Sequence, residues 1–219
     1  MKLKAILFDF DGTLVHSVSV LVSLFEEVLA EQNFPPADPK KIRRLIGEPL
    51  DQIFRKLTNL DNIEYLSESF HAKENARHTA EHIQLMKEVI PTLEFLKSQN
   101  LKLGIVSTKQ RELVKPLSAE LKIGKFFDVM VGGWDVKNPK PHPEPILLAC
   151  KKLEIKPREI IFVGDSLLDL QSAKSAEAIF VGVLTGVCSR EEFKKARADY
   201  IFSHVGEMVN LVRRVLNSK

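Results

Sequence analysis

The segment at residues 6–15, ILFDFDGTLV, constrains the fold of this chain more than any other part of it. Its apolar beginning is typical of a buried β-strand, and two carboxylates, Asp9 and Asp11, follow two positions apart. Side chains at alternate positions of an extended chain point the same way, so both carboxylates can face one crevice beyond the carboxyl end of the strand. The segment therefore predicts a strand that ends in a chemical site.

Two anions held this close together need a physical reason. A bound divalent metal, a proton shared by the pair, and placement on a solvated turn are all available. Phe8 and Phe10 flank Asp9 and favour a packed strand over an exposed turn. The loop also lacks the third acidic position and the later glutamate of an EF-hand. Metal-assisted chemistry is the interpretation that we favour.

The chain changes its hydrophobic period after this strand. Apolar residues recur at helical spacing over residues 18–29, which predicts an amphipathic helix. Further helices are predicted over residues 39–46, 50–57 and 63–83, with no strand-like alternation among them. We therefore expect two domains: an inserted helical domain at residues 16–83, and a second domain made of residues 1–15 and 84–219.

The second half alternates short β-rich runs with helix-like stretches of about ten to fifteen residues. The β-rich runs are residues 101–107, 127–133, 159–165, 178–183 and 199–202. Such alternation predicts an α/β fold, with a doubly wound parallel sheet covered by helices on both faces. The ligand crevice of such a sheet lies at the carboxyl ends of its strands.

The polar residues expected at these strand ends suit one kind of reaction. Asp9 and Asp11 follow the first strand, and the later groups are Ser107, Thr108, Lys109, Asp165, Ser166 and Asp169, with Lys140 between prolines in a loop. Carboxylates bind Mg²⁺, whereas hydroxyl, amide and ammonium groups bind phosphate oxygens. Together these groups indicate phosphoryl transfer.

Composition excludes several classes of partner. The chain has 219 residues and a net charge of +3, with 32 basic and 29 acidic residues mixed along it, so we expect neither a nucleic-acid stripe nor a membrane patch. Cys150 and Cys188 lack metal-ligand spacing and are expected to be reduced packing residues. We expect a soluble cytoplasmic protein, monomeric or homodimeric, that acts on a small phosphorylated metabolite.

Four motifs in order resemble those of the haloacid dehalogenase-like hydrolase superfamily. They are DFDGTLVHS, the apolar run ending in Ser107, Lys140 within PKPHPEP, and GDSLLD, and together they cover essentially the whole chain. The helical block resembles the small α-helical cap that this superfamily inserts after its first motif into a Rossmann-like core. The stretch at residues 42–50, IRRLIGEPL, is most similar to the phosphoglycolate phosphatase-like branch.

The resemblance implies catalytic roles. Asp9 would be the nucleophile that forms an aspartyl-phosphate, and Asp11 would be the acid and base that protonates the leaving group and then activates water. Mg²⁺ would be held by Asp9, by Asp11 through its backbone carbonyl, and by Asp165. Mg²⁺ and Lys140 would keep Asp9 ionised, whereas the neighbouring charge would raise the pKa of Asp11 enough to hold a proton.

The resemblance also implies a phosphate site. Gly12, Ser107 and Thr108 would bind the phosphoryl group, and Lys140 would neutralise charge between that group and Asp9. Asp169 has two interpretations: it acts behind the metal site or through a metal-bound water, or it caps the helix that begins after Ser166.

Substrate choice is expected to depend on the cap. Residues 40–44 form the most basic cluster of the predicted cap. One of its arginines, Arg43 or Arg44, could reach the carboxylate of phosphoglycolate, although a solvated helix face is the simpler interpretation. His16 replaces the acidic residue that relatives commonly carry there, and we favour a partly solvated hinge residue.

The favoured function is a magnesium-dependent phosphatase that resembles phosphoglycolate phosphatase. The alternatives are an inorganic pyrophosphatase, a β-phosphoglucomutase-like phosphomutase, and a non-catalytic binding or regulatory protein that retains the fold.

Overall fold

The computed structural model describes residues 2–217. Its strands are β1 (Ala5–Phe8), β2 (Lys102–Val106), β3 (Val129–Val131), β4 (Ile160–Gly164), β5 (Ile179–Val183) and β6 (Tyr200–Phe202). They form one parallel six-stranded sheet in the order β3-β2-β1-β4-β5-β6. The five predicted β-rich runs are confirmed, with β2 to β6 each lying inside its run, and β1 begins one residue before the predicted segment.

Strand β1 lies at the centre of the sheet between β2 and β4. Phe8, its last residue, pairs with Ile105 on one side and Val163 on the other. The loops that follow these three strands therefore leave the same edge side by side. This register brings the predicted chemical groups together.

Ten α-helices are described within residues 2–217. They are α1 (Val18–Glu31), α2 (Pro39–Leu45), α3 (Leu50–Thr58), α4 (Glu64–Arg77), α5 (Val89–Ser98), α6 (Arg111–Glu120), α7 (Glu144–Leu153), α8 (Leu167–Ser175), α9 (Arg190–Lys195) and α10 (Met208–Asn217). Helices α5, α6 and α10 pack with Ile6 and Phe8 on one face of the sheet. Helices α7 and α8 pack with Ala5 and Leu7 on the other face, so the predicted doubly wound α/β fold is confirmed.

Helices α1 to α4 have a hydrophobic core of their own. Phe25 of α1 lies 5.1 Å from Phe54 of α3 and 4.5 Å from Phe70 of α4, between ring centroids. This core includes Ile42 of α2. Because these helices bury their apolar faces against one another, we propose that residues 16–83 form the inserted cap domain and the rest of the chain a core domain.

The fourth cap helix is shorter than the sequence predicts. Helix α4 ends at Arg77, whereas helical spacing predicted a helix through residue 83. The chain turns after His78, and Leu85 then forms an antiparallel bridge with Val15. Backbone pairing between the two connectors therefore overrides the local helical pattern.

The two connectors between cap and core are hydrogen-bonded to each other. The backbone N–H of His16 donates to the carbonyl of Gln84 at 2.8 Å, and that of Met86 donates to Leu14 at 2.9 Å. The side chain of His16 is exposed, in keeping with a solvated connector residue. No helix between residues 2 and 217 is long and apolar enough to cross a membrane.

We expect Phe54→Ala to lower the free energy of unfolding by about 3–5 kcal/mol, because it leaves a cavity among packed aromatic rings. Phe54 is fully buried, whereas Tyr65 on the neighbouring helix is 39% exposed and serves as the control. Urea denaturation of both alanine variants checks this, and an equal loss at the two positions would contradict the proposed cap core.

Candidate active site

Loops from three adjacent strands and one proline-rich segment build the site. Asp9 follows β1, Ser107 follows β2 and Asp165 follows β4, and all three are buried. Lys140 comes from the loop that precedes α7. The structure thus brings together the residues that the sequence predicted to converge.

Lys140 is the cation of this cluster. Its ammonium is 2.8 Å from Asp9 Oδ1 and 2.5 Å from Asp169 Oδ1, and its side chain is only 2% exposed. Burial alone would lower the pKa of Lys140, but the carboxylates of Asp169 and Asp9 outweigh it and raise that pKa. Lys140 therefore stays charged and orients Asp9.

Asp169 has a structural role that the sequence left open. It is the third residue of α8 and forms a capping box with Ser166: its backbone N–H donates to Ser166 Oγ at 3.2 Å, and Ser166 N–H donates to Asp169 Oδ2 at 3.1 Å. Its other oxygen accepts from Lys140. Asp169 thus caps the helix and also positions Lys140.

The carboxylates of the site fit a divalent cation. Asp9, Asp165 and Asp169 each offer an oxygen, and these oxygens lie within 4.8 Å of one another. Burial raises the pKa of Asp9 to about 7 despite the opposing charge of Lys140, and burial with the charges of Asp169 and Asp9 raises the pKa of Asp165 well above its ordinary value. A hard cation with oxygen ligands would relieve this crowding.

Asp165 is held in place by both neighbouring loops. Thr13 Oγ1 donates to its Oδ1 at 3.2 Å, and the backbone N–H of Val187 donates to its Oδ2 at 2.9 Å. Gly186 packs so closely that an added Cβ would stand 1.7 Å from Oδ2. The contacts of Gly186 and Val187 with Asp165 were not predicted from the sequence, because neither residue type in the loop after β5 indicates a functional site.

Asp11 lies apart from the three clustered carboxylates. Its Oδ2 is 3.5 Å from the ammonium of Lys109. Its Oδ1 is buried and has no hydrogen-bond partner among residues 2–217. The acid and base role of the Asp11 side chain and metal binding through its backbone carbonyl both stay predictions.

The phosphate-binding residues predicted from the sequence lie around Asp9. Ser107 is buried beside it, and its Oγ accepts the backbone N–H of Lys109 at 3.2 Å. Gly12 adopts a φ of +76°, and an added Cβ would meet Asp165 Oδ2 at 2.6 Å, so the turn requires glycine. Ser107 and Thr108 line the same cavity as Asp9.

A buried ion pair joins the cap to the core beside Asp11. The ammonium of Lys109 is 2.6 Å from Glu74 Oε1 of α4, and these side chains are 6% and 7% exposed. His71 Nδ1 lies 3.6 Å from the other Glu74 oxygen. Burial alone would raise the pKa of Glu74, but Lys109 and the His71 hydrogen bond lower it to about 2. Burial would lower the pKa of Lys109, yet Asp11 and Glu74 raise it.

Glu74 was missed by the sequence analysis, although Lys109 was placed at its strand end. In the local sequence, nothing distinguishes Glu74 from the other acidic residues of the predicted amphipathic helix. Its burial beside a core loop depends on how the cap packs, and no pattern within α4 reports that.

A cavity of about 410 Å³ lies between cap and core. Its floor includes Asp9, Asp11, Ser107 and Asp165. Neither Arg43 nor Arg44 lines it, and the guanidinium of Arg43 donates instead to the carbonyl of Gly186 at 2.6 Å. The predicted contact of a cap arginine with a substrate carboxylate has no support in this geometry.

Comparisons with known proteins give one consistent family. The sequence model of the haloacid dehalogenase-like hydrolases matches residues 6–183. Phosphoglycolate phosphatase of Escherichia coli K12 is 30% identical over 230 residues, covering 94% of this chain and 91% of that protein.

Two solved structures are similar to the chain in both sequence and fold. A Bacteroides fragilis protein assigned to the haloacid dehalogenase-like hydrolases is 33% identical with a TM-score of 0.88, covering 94% of this chain and 100% of that one. A predicted phosphoglycolate phosphatase from Haemophilus somnus 129pt is 28% identical with a TM-score of 0.88, covering 97% and 99%.

We expect Mg²⁺ to stabilise the protein more at about pH 8 than at about pH 5. The pKa of Asp9 is raised from 3.8 to about 7 on folding, so between these values the metal-free folded protein holds a proton that the unfolded chain has released. Stability without metal therefore falls as the pH rises through this window. Mg²⁺ would bind the deprotonated carboxylates and so restore stability at the higher pH.

Thermal unfolding with and without saturating Mg²⁺ at both pH values measures this effect. Asp165→Asn is the matched variant and is expected to lose most of the Mg²⁺-dependent increase. Equal shifts at the two pH values would contradict a metal site built from these raised pKa values.

We expect Gly186→Ala to weaken Mg²⁺ binding by at least about tenfold, because the new methyl group would displace the Asp165 carboxylate. Isothermal titration with Mg²⁺ measures the affinity. Gly124→Ala is the control, because an added Cβ there meets nothing closer than 3.5 Å. Unchanged affinity in Gly186→Ala would show that Asp165 is not a ligand.

Proposed function

Because the chain belongs to the haloacid dehalogenase-like hydrolase family, we propose that it is a magnesium-dependent phosphatase that hydrolyses a small phosphate monoester through a phosphorylated Asp9. The main support for the proposal is that the two carboxylates of the first motif have different surroundings. Asp9 is bound by Lys140 at 2.8 Å, whereas one oxygen of Asp11 is buried without a hydrogen-bond partner among the described residues. One carboxylate is oriented to attack, and the other is free to carry a proton.

The first step transfers the phosphoryl group to Asp9. A carboxylate oxygen of Asp9 attacks phosphorus, and the bond between phosphorus and the ester oxygen breaks. Asp11 donates its proton to the departing oxygen, so the leaving group departs as an alcohol. Lys140 and the Ser107 hydroxyl bind the phosphoryl oxygens.

The second step returns the enzyme to its starting state. Asp11, now ionised, takes a proton from water, and the water oxygen attacks phosphorus. The bond between phosphorus and Asp9 breaks and releases inorganic phosphate, while Asp11 is again protonated. Closure of the cap over this cavity would limit water during the first transfer.

The acidic cluster supports the cofactor in this proposal. Asp9 and Asp165 would hold Mg²⁺ through their carboxylates, with the backbone carbonyl of Asp11 as a further ligand. When bound, the ion supplies charge neutralisation for the phosphoryl oxygens. Thr13 and Val187 orient Asp165 for this task.

The names of the curated relatives make phosphoglycolate the reference substrate. Their identity of 30% supports the reaction class. Which leaving group the site accepts depends on the cap residues of this chain.

We expect the wild-type protein to release phosphate from p-nitrophenyl phosphate only with Mg²⁺, and Asp9→Asn to lower kcat by at least about a thousandfold. An amide is not an adequate nucleophile and supplies no anionic metal ligand. Steady-state assays after chelation and after Mg²⁺ addition measure both effects.

Asp61→Asn, in an exposed cap turn, is the matched control and should keep wild-type rates. Acid quench during turnover should yield a phosphoryl adduct on the peptide that contains Asp9. Substantial turnover by folded Asp9→Asn would rule out the aspartyl-phosphate route.

A further inference from the structure

We propose that Glu74 determines the substrate class of this site. By holding the ammonium of Lys109, Glu74 leaves the part of the cavity beside Asp11, where the leaving group would lie, without a free Lys or Arg cation among residues 2–217. The site would therefore accept monoesters whose leaving group is uncharged and partly apolar. This inference rests on the proposed phosphatase function and specifies its substrate.

The cap contributes a mostly apolar wall to the cavity. Its apolar lining residues include Leu21, Phe25, Ile46, Leu50, Ile53 and Phe70. Trp134, 73% exposed, stands at the core side of the opening with its ring centroid 6.3 Å from that of His71. Such a surface stabilises a leaving group that buries carbon atoms.

Lys109 is the single lysine or arginine that lines the cavity in the described part of the chain. It is the group that a substrate carboxylate would need. Its ammonium is 2.6 Å from Glu74 and 3.5 Å from Asp11, and the Lys109 and Glu74 side chains are about nine-tenths buried. A carboxylate ligand of Lys109 would add a third carboxylate to an ammonium that Glu74 and Asp11 already face, inside a desolvated site.

The other acidic groups of the cap wall add to this discrimination. Glu48 and Asp51 both line the cavity. Glu48 is bound by the ammonium of Lys56 at 2.7 Å, and Asp51 accepts from the hydroxyl of Ser67 at 3.0 Å. Asp51, whose partner is a hydroxyl and not an ammonium, would therefore repel an anionic leaving group, whereas an uncharged leaving group would not be repelled.

A matched pair of esters tests the inference directly. Phosphoglycolate and its carboxamide, 2-amino-2-oxoethyl phosphate, have nearly the same size and differ in charge. We expect the wild-type protein with Mg²⁺ to hydrolyse the carboxamide with a kcat/KM at least about tenfold higher. Equal or higher kcat/KM for phosphoglycolate would overturn the inference.

Removing the charge of Glu74 should shift this preference toward phosphoglycolate. In Glu74→Gln the ammonium of Lys109 is released to bind a substrate carboxylate, so we expect the ratio of the two kcat/KM values to move by at least about tenfold. The double variant Glu74→Gln/Lys109→Met lacks the cation and should show no such gain. A ratio unchanged in Glu74→Gln would overturn the assignment to Glu74.

Glu31→Gln is the matched control, since Glu31 pairs with Lys73 at 2.6 Å on the cap surface outside the cavity. It should keep the wild-type ratio, and a shift as large as that of Glu74→Gln would overturn the assignment. If the wild-type protein hydrolysed none of the three esters, phosphoglycolate, its carboxamide and p-nitrophenyl phosphate, the proposed function itself would be overturned. Turnover of p-nitrophenyl phosphate with a preference for phosphoglycolate would overturn the substrate class alone.

Discussion

The contact of the Lys140 ammonium with Asp9 and Asp169 is the interaction on which the rest of the site depends. Three carboxylates crowd one edge of the sheet, and burial raises the pKa values of Asp9 and Asp165. Lys140 offsets part of that charge at 2.8 Å from Asp9. Asp169 holds Lys140 in turn and is itself fixed by the capping box of α8, so a helix terminus sets the position of the ammonium that contacts Asp9.

The cap and the core meet through polar contacts that have different consequences. The connectors pair along the backbone at Val15 and Leu85, which limits how the cap can move relative to the sheet. The Lys109–Glu74 pair lies inside the cavity and joins a core loop to a cap helix. A buried ion pair costs desolvation on both sides, and we propose that its role here is to exclude anionic leaving groups.

Much of the fold could be predicted from local patterns, because each pattern had a single physical cause. The buried strands appear as continuous apolar runs, since a parallel sheet covered on both faces has no polar side. The end of α4 was predicted wrongly, because pairing of Leu85 with Val15 outweighs a helical spacing that continues in the sequence. Asp9, Ser107, Lys140 and Asp165 were predicted to converge because parallel strands end at a common edge. The role of Glu74 could not be predicted, since its partner Lys109 is 35 residues away in the loop after β2.

The sequence by itself determined the sheet, the order of the polar strand ends and the chemistry that those ends can perform, because alternation, turn residues and residue types act locally. Only the tertiary structure decided whether Lys109, which lines the cavity, has a charged partner. Lys109 is a free cation in the sequence and a neutralised one in the fold, where Glu74 lies 2.6 Å away. The physical reason is that electrostatic pairing depends on distance and burial, and the packing of α4 against the core loops sets both.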